Sequence, residues 1–475
     1  MLISLFHRLE ISQSKNEVVS FKCSFECLME VPTMEKYKNI IVGFGKGGKT
    51  LAKTLASRGE SVLVIEKSKR MYGGTCINIG CIPSKSMILN GEKGTPFTEG
   101  IAKKESLTAN LRNKNYHMIA DEATGTVMDG TARFVSNHVL EVENAGQTVR
   151  VEGERIFINT GATPIILPIK GLRESKYMID STQAMDLESL PETLVIIGAG
   201  YIGLEFASMF ANYGSKVIVL DAKEEFLARE DEDIAEQIYN DLTTQGIKFH
   251  LGVSVDEIKD QADHTEITYT EKGQSMIIKA DNILAATGRK PNIEGLGLEN
   301  TDVKVTDRDV IIVDDLLRTD APNVWAIGDV KGGLQFTYVS LDDYRIILDQ
   351  LDGKNTRSLK DRTLVPYSVF ITPPLSNVGL TEKAAKANGT EYKLFKFMSA
   401  GVPKANVLED PKGMFKVLVD PKTDHILGAS IYAEESHEVI NLITLAMKGN
   451  LPYTMLRDQI YTHPTMSEAL NDVLK

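Results

Sequence analysis

Cys76 and Cys81 are separated by four residues in Tyr72-Gly73-Gly74-Thr75-Cys76-Ile77-Asn78-Ile79-Gly80-Cys81-Ile82-Pro83-Ser84-Lys85. Gly73, Gly74 and Gly80 allow close backbone approach. Pro83 suits the first turn of a helix, which predicts Cys81 at or just before a helix N-terminus. The partial positive charge there favours a thiolate, and Lys85 adds a cation one turn on. This chemistry is that of a dithiol cycling with its disulfide. Two buried apolar cysteines would be the plainer reading; the pairing, the glycines and Pro-Ser-Lys weigh against it.

Such a site must be positioned by rigid elements. From Ile40 the chain reads strand, Gly43-Phe44-Gly45-Lys46-Gly47-Gly48, helix to Ser57, then strand Val62 to Ile65 ending at Glu66. In that context Gly43, Gly45 and Gly48 permit a tight turn against a pyrophosphate, and Glu66 can bond a ribose. The pattern returns at Leu194 to Ile197 with Gly198-Ala199-Gly200-Tyr201-Ile202-Gly203, a helix, strand Lys216 to Leu220 and Asp221. Glu66 follows Gly43 by the same interval as Asp221 follows Gly198, which marks an internal duplication. Two such units predict two bound dinucleotides. Lys85 to Asp121 reads as helical, Gly130 to Pro164 as strands, Asp231 to Gly246 as an amphipathic helix and Lys248 to Lys279 as strands. Pro366 to Lys475 reads as strands with two helices.

A chain of 475 residues needs two or three domains. Its net charge of −12 argues against nucleic-acid binding. No long apolar run predicts a membrane span, and Met1 to Phe6 lacks the features of a signal peptide. Four cysteines in this length fit a reducing compartment, so a cytoplasmic location is expected. Residues 1–33, which carry Cys23 and Cys27, show no sustained period. They are expected to be a disordered, dispensable extension, with Met34 as the natural start.

The Cys76 to Lys85 motif, both glycine units, Thr319-Asp320-Ala321-Pro322-Asn323-Val324-Trp325-Ala326-Ile327-Gly328-Asp329 and His463-Pro464-Thr465-Met466-Ser467-Glu468 together resemble the flavoprotein disulfide reductases. These class I pyridine nucleotide-disulfide oxidoreductases include dihydrolipoamide dehydrogenase, glutathione reductase and mercuric reductase. The resemblance covers Met34 to the C-terminus. It implies an α/β fold with two Rossmann-like dinucleotide-binding domains and a C-terminal α+β dimer-interface domain. The expected bounds are 34–185 and 317–365 for the FAD domain, 186–316 for the NAD(P)H domain and 366–475 for the interface.

The resemblance also implies residue roles. FAD would be held by Gly43, Gly45, Gly48, Glu66, Thr75, the Thr160-Gly161 turn and Asp329. A nicotinamide nucleotide would be held by Gly198, Gly200, Gly203, Asp221 and Gly288. NADH is expected over NADPH, because Asp221 would repel a 2′-phosphate; Lys223 softens that choice, so NADPH remains possible. Lys85 and Glu205 match an ion pair beside the flavin. Cys81 would be the flavin-side thiolate, Cys76 the interchange thiol, His463 of the partner subunit the acid–base and Glu468 its orienter. A homodimer with shared active sites follows. His437 is read as structural, and no metal site is expected.

After Asp329 the chain departs from dihydrolipoamide dehydrogenase, with bulkier aromatics in Leu334-Gln335-Phe336-Thr337-Tyr338 and Leu341-Asp342-Asp343-Tyr344-Arg345. These tracts, together with Tyr72 to Cys81, resemble the bacterial reactive-chlorine-resistance and hypothiocyanous acid reductase branch. The implied reaction is NADH-dependent reduction of a small oxidant, hypothiocyanous acid, to thiocyanate in oxidative-stress defence, with a low-pKa Cys76 thiolate attacking. The alternatives are a mercury(II) or copper(II) reductase and a dihydrolipoamide dehydrogenase. The ending Asn471-Asp472-Val473-Leu474-Lys475 lacks the vicinal cysteines of mercuric reductases, and Phe336 and Tyr338 would narrow a lipoamide channel. Membership of a 2-oxoacid dehydrogenase complex and a catalytically idle binding scaffold are the competing non-reductase readings.

Overall fold

Val62–Glu66 is buried along its whole length, as expected of a parallel strand covered on both faces. The structure, a computed structural model, describes residues 34–475. The leader 1–33, with its expected disorder and its Cys23 and Cys27, lies outside the described residues.

Strand β1 (Glu35–Val42) enters helix α1 (Lys46–Ser57) and the chain returns as β2 (Val62–Glu66). Helices α2 (Thr75–Asn78), α3 (Cys81–Glu92) and α4 (Phe97–Ala120) precede β3 (Gly125–Asp129), β4 (Thr131–Phe134), β5 (Val139–Asn144) and β6 (Gln147–Ile158). The sheet order is β3-β2-β1-β6-β5-β4, and Val324–Ala326 adds a parallel strand beside β6. Ile41, Leu51, Leu55, Val62 and Phe157 pack α1 onto this sheet.

A two-stranded link, β7 (Ala162–Pro164), leads to the duplicated unit. It comprises β8 (Met178–Ile179), α5 (Ser181–Ala184), β9 (Thr193–Ile197), α6 (Tyr201–Tyr213), β10 (Lys216–Asp221), α7 (Glu232–Thr244) and β11 (Lys248–Leu251). An antiparallel trio follows, β12 (Ser254–Asp260), β13 (Thr265–Glu271) and β14 (Gln274–Ala280), then β15 (Asn282–Ala285) and β16 (Arg289–Pro291), the partner of β7. The parallel order is β11-β10-β9-β15-β8. This sheet takes its edge strand from Met178–Ile179, upstream of the expected start at 186. Leu296, Leu298, Val303 and Ile311, inside the expected 186–316 unit, pack instead with Leu140 and Val151 of the first domain. Side chains choose the core they fill, which sequence punctuation does not record.

Strand β17 (Val324–Ala326) delivers Gly328 and Asp329, and α8 (Thr337–Leu351) lies against α1. The C-terminal part is an antiparallel sheet, ordered β18 (Tyr367–Val369), β19 (Leu375–Gly379), then Ile426–Tyr432, Met414–Val419 and Lys393–Met398. In chain order these last three are β20 (Lys393–Met398), β21 (Met414–Val419) and β22 (Ile426–Tyr432). Two helices were expected there. The chain forms one long one, Ser436–Lys448, packed on β19 and β22, and short ones at Glu382–Ala387, Pro403–Val407, Tyr453–Arg457 and Ala469–Val473.

Candidate active site

Cys81 is the first residue of α3, behind Gly80, as Pro83 predicted. Cys76 lies in the single turn α2, and both are free thiols. Gly74 precedes that turn at φ +79, and a Cβ there would sit 2.7 Å from Gly45 Cα. The dithiol loop therefore lies directly on the first glycine turn.

The two thiols are unequal. Cys81 is pushed down to about 6 by the Cys76 S–H bond, with the Thr337 hydroxyl and Lys85 adding to it against burial. Its sulfur is 3.5 Å from Thr337 Oγ1. Cys76 is pushed up, by that same bond to Cys81, by burial and by the Cys81 charge. The bond between the two sulfurs, with Thr337 and Lys85 beside Cys81, favours the charge on Cys81, in line with its expected role as the flavin-side thiolate and against a low-pKa Cys76 thiolate in the dithiol. Lys85 Nζ is 2.7 Å from Glu205 Oε2 and 4.6 Å from the centre of the Phe370 ring, while Phe370 N–H donates to Glu205 Oε1.

Both cysteines open onto a cleft of about 1660 Å³ that Gly43, Gly45, Glu66, Thr75, Lys85, Thr160, Gly161, Glu205 and Asp329 also line. Glu66 Oε2 accepts from Phe44 N–H at 3.0 Å, and burial pushes its carboxyl up. Burial does the same to Asp329, against Arg289 and Lys331. Gly48 does not line the cleft; its N–H donates to Asn159 Oδ1, where a Cβ would sit 2.5 Å away, so the glycine lets α1 pack close to Asn159.

Gly198, Gly200, Gly203, Asp221 and Gly288 lie at the equivalent edge of the second sheet and do not themselves line that cleft, though Tyr201, Ile202 and Arg289 next to them do. Asp221 accepts from Ala199 N–H at 2.5 Å and Lys223 N–H at 2.8 Å, repeating the Glu66 arrangement. A Cβ on Gly203 would sit 2.0 Å from Gly198 O. His463 Nδ1 lies 2.8 Å from Glu468 Oε2, and His463 does not line the cleft of its own chain.

Sequence reasoning passed over several residues that the fold brings to the cleft. Thr337 begins α8 and touches Cys81. Arg289 lines the cleft and donates to Ala162 O. His437, which the sequence reading takes as structural, lines it too, packs on Phe370 at 5.3 Å, and its buried Nδ1 has no partner among the described residues. Phe336 stacks on Tyr338 at 5.1 Å and on Tyr367 at 6.3 Å, and Tyr367 on Tyr201 at 5.8 Å, forming one aromatic wall. The bulky run was visible in the sequence; its alignment with Tyr201 and Tyr367, which come from other domains, was not.

Among the described residues, no helix is long and apolar enough to cross a membrane, and no group of His, Cys, Asp and Glu could hold a metal ion. Residues 37–343 match the family model of the pyridine nucleotide-disulphide oxidoreductases, and residues 365–474 match that family's dimerisation domain. The chain is 48% identical over 440 residues to the probable pyridine nucleotide-disulfide oxidoreductase RclA of Escherichia coli (strain K12), covering 93% of this chain and 99% of that protein. It is 33% identical over 451 residues to a mercuric reductase of Staphylococcus aureus, covering 91% and 81%. A solved structure described as the Cu(II) complex of HOCl-induced flavoprotein disulfide reductase RclA from Escherichia coli matches with a TM-score of 0.90 at 48% identity, covering 93% and 99%.

Proposed function

This chain belongs to the pyridine nucleotide-disulphide oxidoreductase family, and on that premise we propose that it uses NADH to reduce hypothiocyanous acid to thiocyanate, in defence against oxidative stress. The observation that carries the reading is the Cys76–Cys81 dithiol, with ionisation favoured at Cys81, in a cleft also lined by the stacked Phe336, Tyr338 and Tyr367. A rigid aromatic wall in the dithiol cleft suits a small electrophile better than lipoamide. The likeness to RclA, described as HOCl-induced, agrees with that setting.

The residues present fit FAD. Thr160 Oγ1 is buried in the cleft wall without a partner among the described residues, and Gly43 and Gly45 leave no room for a Cβ beside Asn159. Bound there, FAD supplies the two-electron link between the nicotinamide and the Cys76–Cys81 disulfide. The Gly43 to Gly45 turn and the start of α1 would receive its pyrophosphate, Glu66 a ribose, and Asp329 the ribityl hydroxyls.

The oxidative half balances on this chain's own atoms. Cys76 sulfur attacks the sulfur of hypothiocyanous acid, the S–O bond breaks, and the Cys76 proton leaves with the hydroxide as water. Cys81 thiolate then attacks the Cys76 sulfur, expels thiocyanate and closes the disulfide, an intramolecular step that gains from proximity. Two electrons from NADH reopen the disulfide, so the sum is NADH and hypothiocyanous acid giving NAD⁺, thiocyanate and water. His463 of the partner subunit, held by its own Glu468, would exchange the Cys76 proton in a homodimer with shared active sites.

The second reading is copper(II) reduction, favoured by the similar solved structure described as a Cu(II) complex. The deciding experiment follows NADH oxidation by the holoenzyme with hypothiocyanous acid, lipoamide, glutathione disulfide, mercury(II) and copper(II) side by side. Hypothiocyanous acid should give a kcat/KM far above lipoamide and glutathione disulfide, and Cys76→Ser and Cys81→Ser should each abolish turnover. Equal efficiency with lipoamide, or normal turnover by Cys81→Ser, would overturn the proposal, and faster turnover of copper(II) would favour the second reading.

A further inference from the structure

Lys49 is an amine where none is expected. It sits on the inward face of α1 with Ala52 and Ala56 and is 3% exposed. Its Nζ donates to Gly73 O at 3.1 Å and to Asn115 Oδ1 at 2.5 Å, and both acceptors are neutral. Burying an ammonium without a paired carboxylate costs several kcal/mol even after relaxation, roughly the effective penalty per buried ion. A group retained at that cost needs a compensating interaction.

The surroundings identify it. Gly73 opens the loop that leads through Gly74 and Thr75 to Cys76. Asn115 lies on α4, in the run Leu111-Arg112-Asn113-Lys114-Asn115-Tyr116, and its amide donates to Leu111 O at 2.7 Å. One turn earlier Arg112 Nε donates to Asn78 Oδ1 at 2.9 Å, and Asn78 Nδ2 donates to Tyr72 O and Gly74 O. So α4 grips the Cys76 loop on both sides, through Asn115 and Lys49 at one and Arg112 and Asn78 at the other.

We propose that Lys49 is a positioning residue for the interchange thiol: it clamps the Gly73 turn to α4 and supplies the positive charge against which Cys76 gives up its proton. Cys76 keeps its proton in the resting dithiol, so Lys49 meets an anion there only while that proton is given up. The charges and hydroxyls acting on Cys76 are Cys81, Thr337 and Lys49, of which Cys81 raises the thiol and the other two lower it. Burial pushes Lys49 down to about 8, with Lys46 adding to this and Cys76 opposing it, so the amine is still mostly charged at pH 7. The proposal rests on the dithiol reading above and is independent of which oxidant is reduced.

The test uses full-length holoenzyme carrying Cys81→Ser, so that Cys76 titrates without its partner thiol. After reduction with dithiothreitol, the rate of iodoacetamide alkylation of the Cys76 peptide is followed by mass spectrometry across pH. Adding Lys49→Met should raise the midpoint by about one pH unit or more, the usual effect of removing an adjacent opposite charge. Lys49→Arg should bring it most of the way back. Asn115→Asp keeps the shape and an acceptor for Lys49 while cancelling its charge, and should raise the midpoint too. It decides the matter if Lys49→Met fails to retain flavin. An unchanged midpoint in the folded variants would make Lys49 a structural clamp and overturn the proposal. A Cys76 that alkylates at no pH would sink the dithiol reading, and this proposal with it.

Discussion

At the scale of single residues, the site works through an asymmetry between two identical side chains. Cys81 gains the N-terminus of α3, Lys85, Thr337 and the Cys76 S–H; Cys76 is raised by its bond to Cys81, by burial and by the Cys81 charge, against Thr337 and Lys49. Alkylation of Cys81 in the reduced protein should therefore titrate with a midpoint near pH 6, the thiolate being present above it and lost below it. Cys76→Ala removes the strongest cause and should shift that midpoint upward, which peptide-resolved mass spectrometry checks. His463 bears on a proton that the departing hydroxide can also accept. Turnover of hypothiocyanous acid by His463→Ala should accordingly fall by less than the ~100-fold at the low end for a required general acid or base. Steady-state NADH oxidation measures it, and a larger loss would return the proton to the histidine.

At the scale of elements, the two glycine turns are built alike and serve different edges of the molecule. Gly74 is where the dithiol loop presses on the first turn. Gly74→Ala meets Gly45 Cα at 2.7 Å and a φ of +79, and should cost at least ~1–3 kcal/mol, since backbone cannot move aside as a side chain can. Gly94→Ala shares a positive φ but meets nothing within 4 Å, and should cost no more than ~1–2 kcal/mol. Urea unfolding and flavin retention on gel filtration separate the two. In the second turn both Asp221 oxygens are fixed by Ala199 and Lys223 N–H groups, which holds the carboxylate at the end of β10. The kcat/KM for NADH should exceed that for NADPH, and Asp221→Asn, which removes the charge, should narrow the ratio.

At the scale of the whole molecule, Lys416 on β21 ties the C-terminal domain to the nicotinamide unit. Its Nζ is 2.8 Å from Asp231, 2.9 Å from Asp233 and 2.8 Å from Glu382, and it is fully buried. Lys416→Met leaves the buried Asp231 without its cation, while Asp233 and Glu382 keep Lys396 and Lys386, and should destabilise the protein by ~3–5 kcal/mol, read by chemical unfolding. Burial works against the Glu382 carboxylate, but hydrogen bonds from Lys386, Lys416 and Tyr392 hold it at about 2. A depressed carboxylate gives stability that is full above its unfolded pKa of ~4.3 and lost as pH falls through the folded one. This contribution should decline between about pH 4 and pH 2 in the wild type and be reduced in Lys416→Met.

Local order determined much of this protein in advance. The strand–turn–helix–strand units, their acids at the same interval, and the placement of Cys81 at a helix start are all written within short windows, because caps, glycine turns and buried parallel strands depend on neighbours in sequence. Lys49 drew no attention in the sequence: its spacing to Ala52 and Ala56 fits the buried face of α1, but nothing nearby says what it meets there. Other decisions needed the folded chain. The contact between Thr337 and Cys81, the wall made by Phe336, Tyr338, Tyr367 and Tyr201, and the transfer of Leu296 to Ile311 into the first core each join residues from distant segments. A side chain's pKa and packing are set by everything within a few ångströms, and which segments come that close is fixed by the tertiary fold alone.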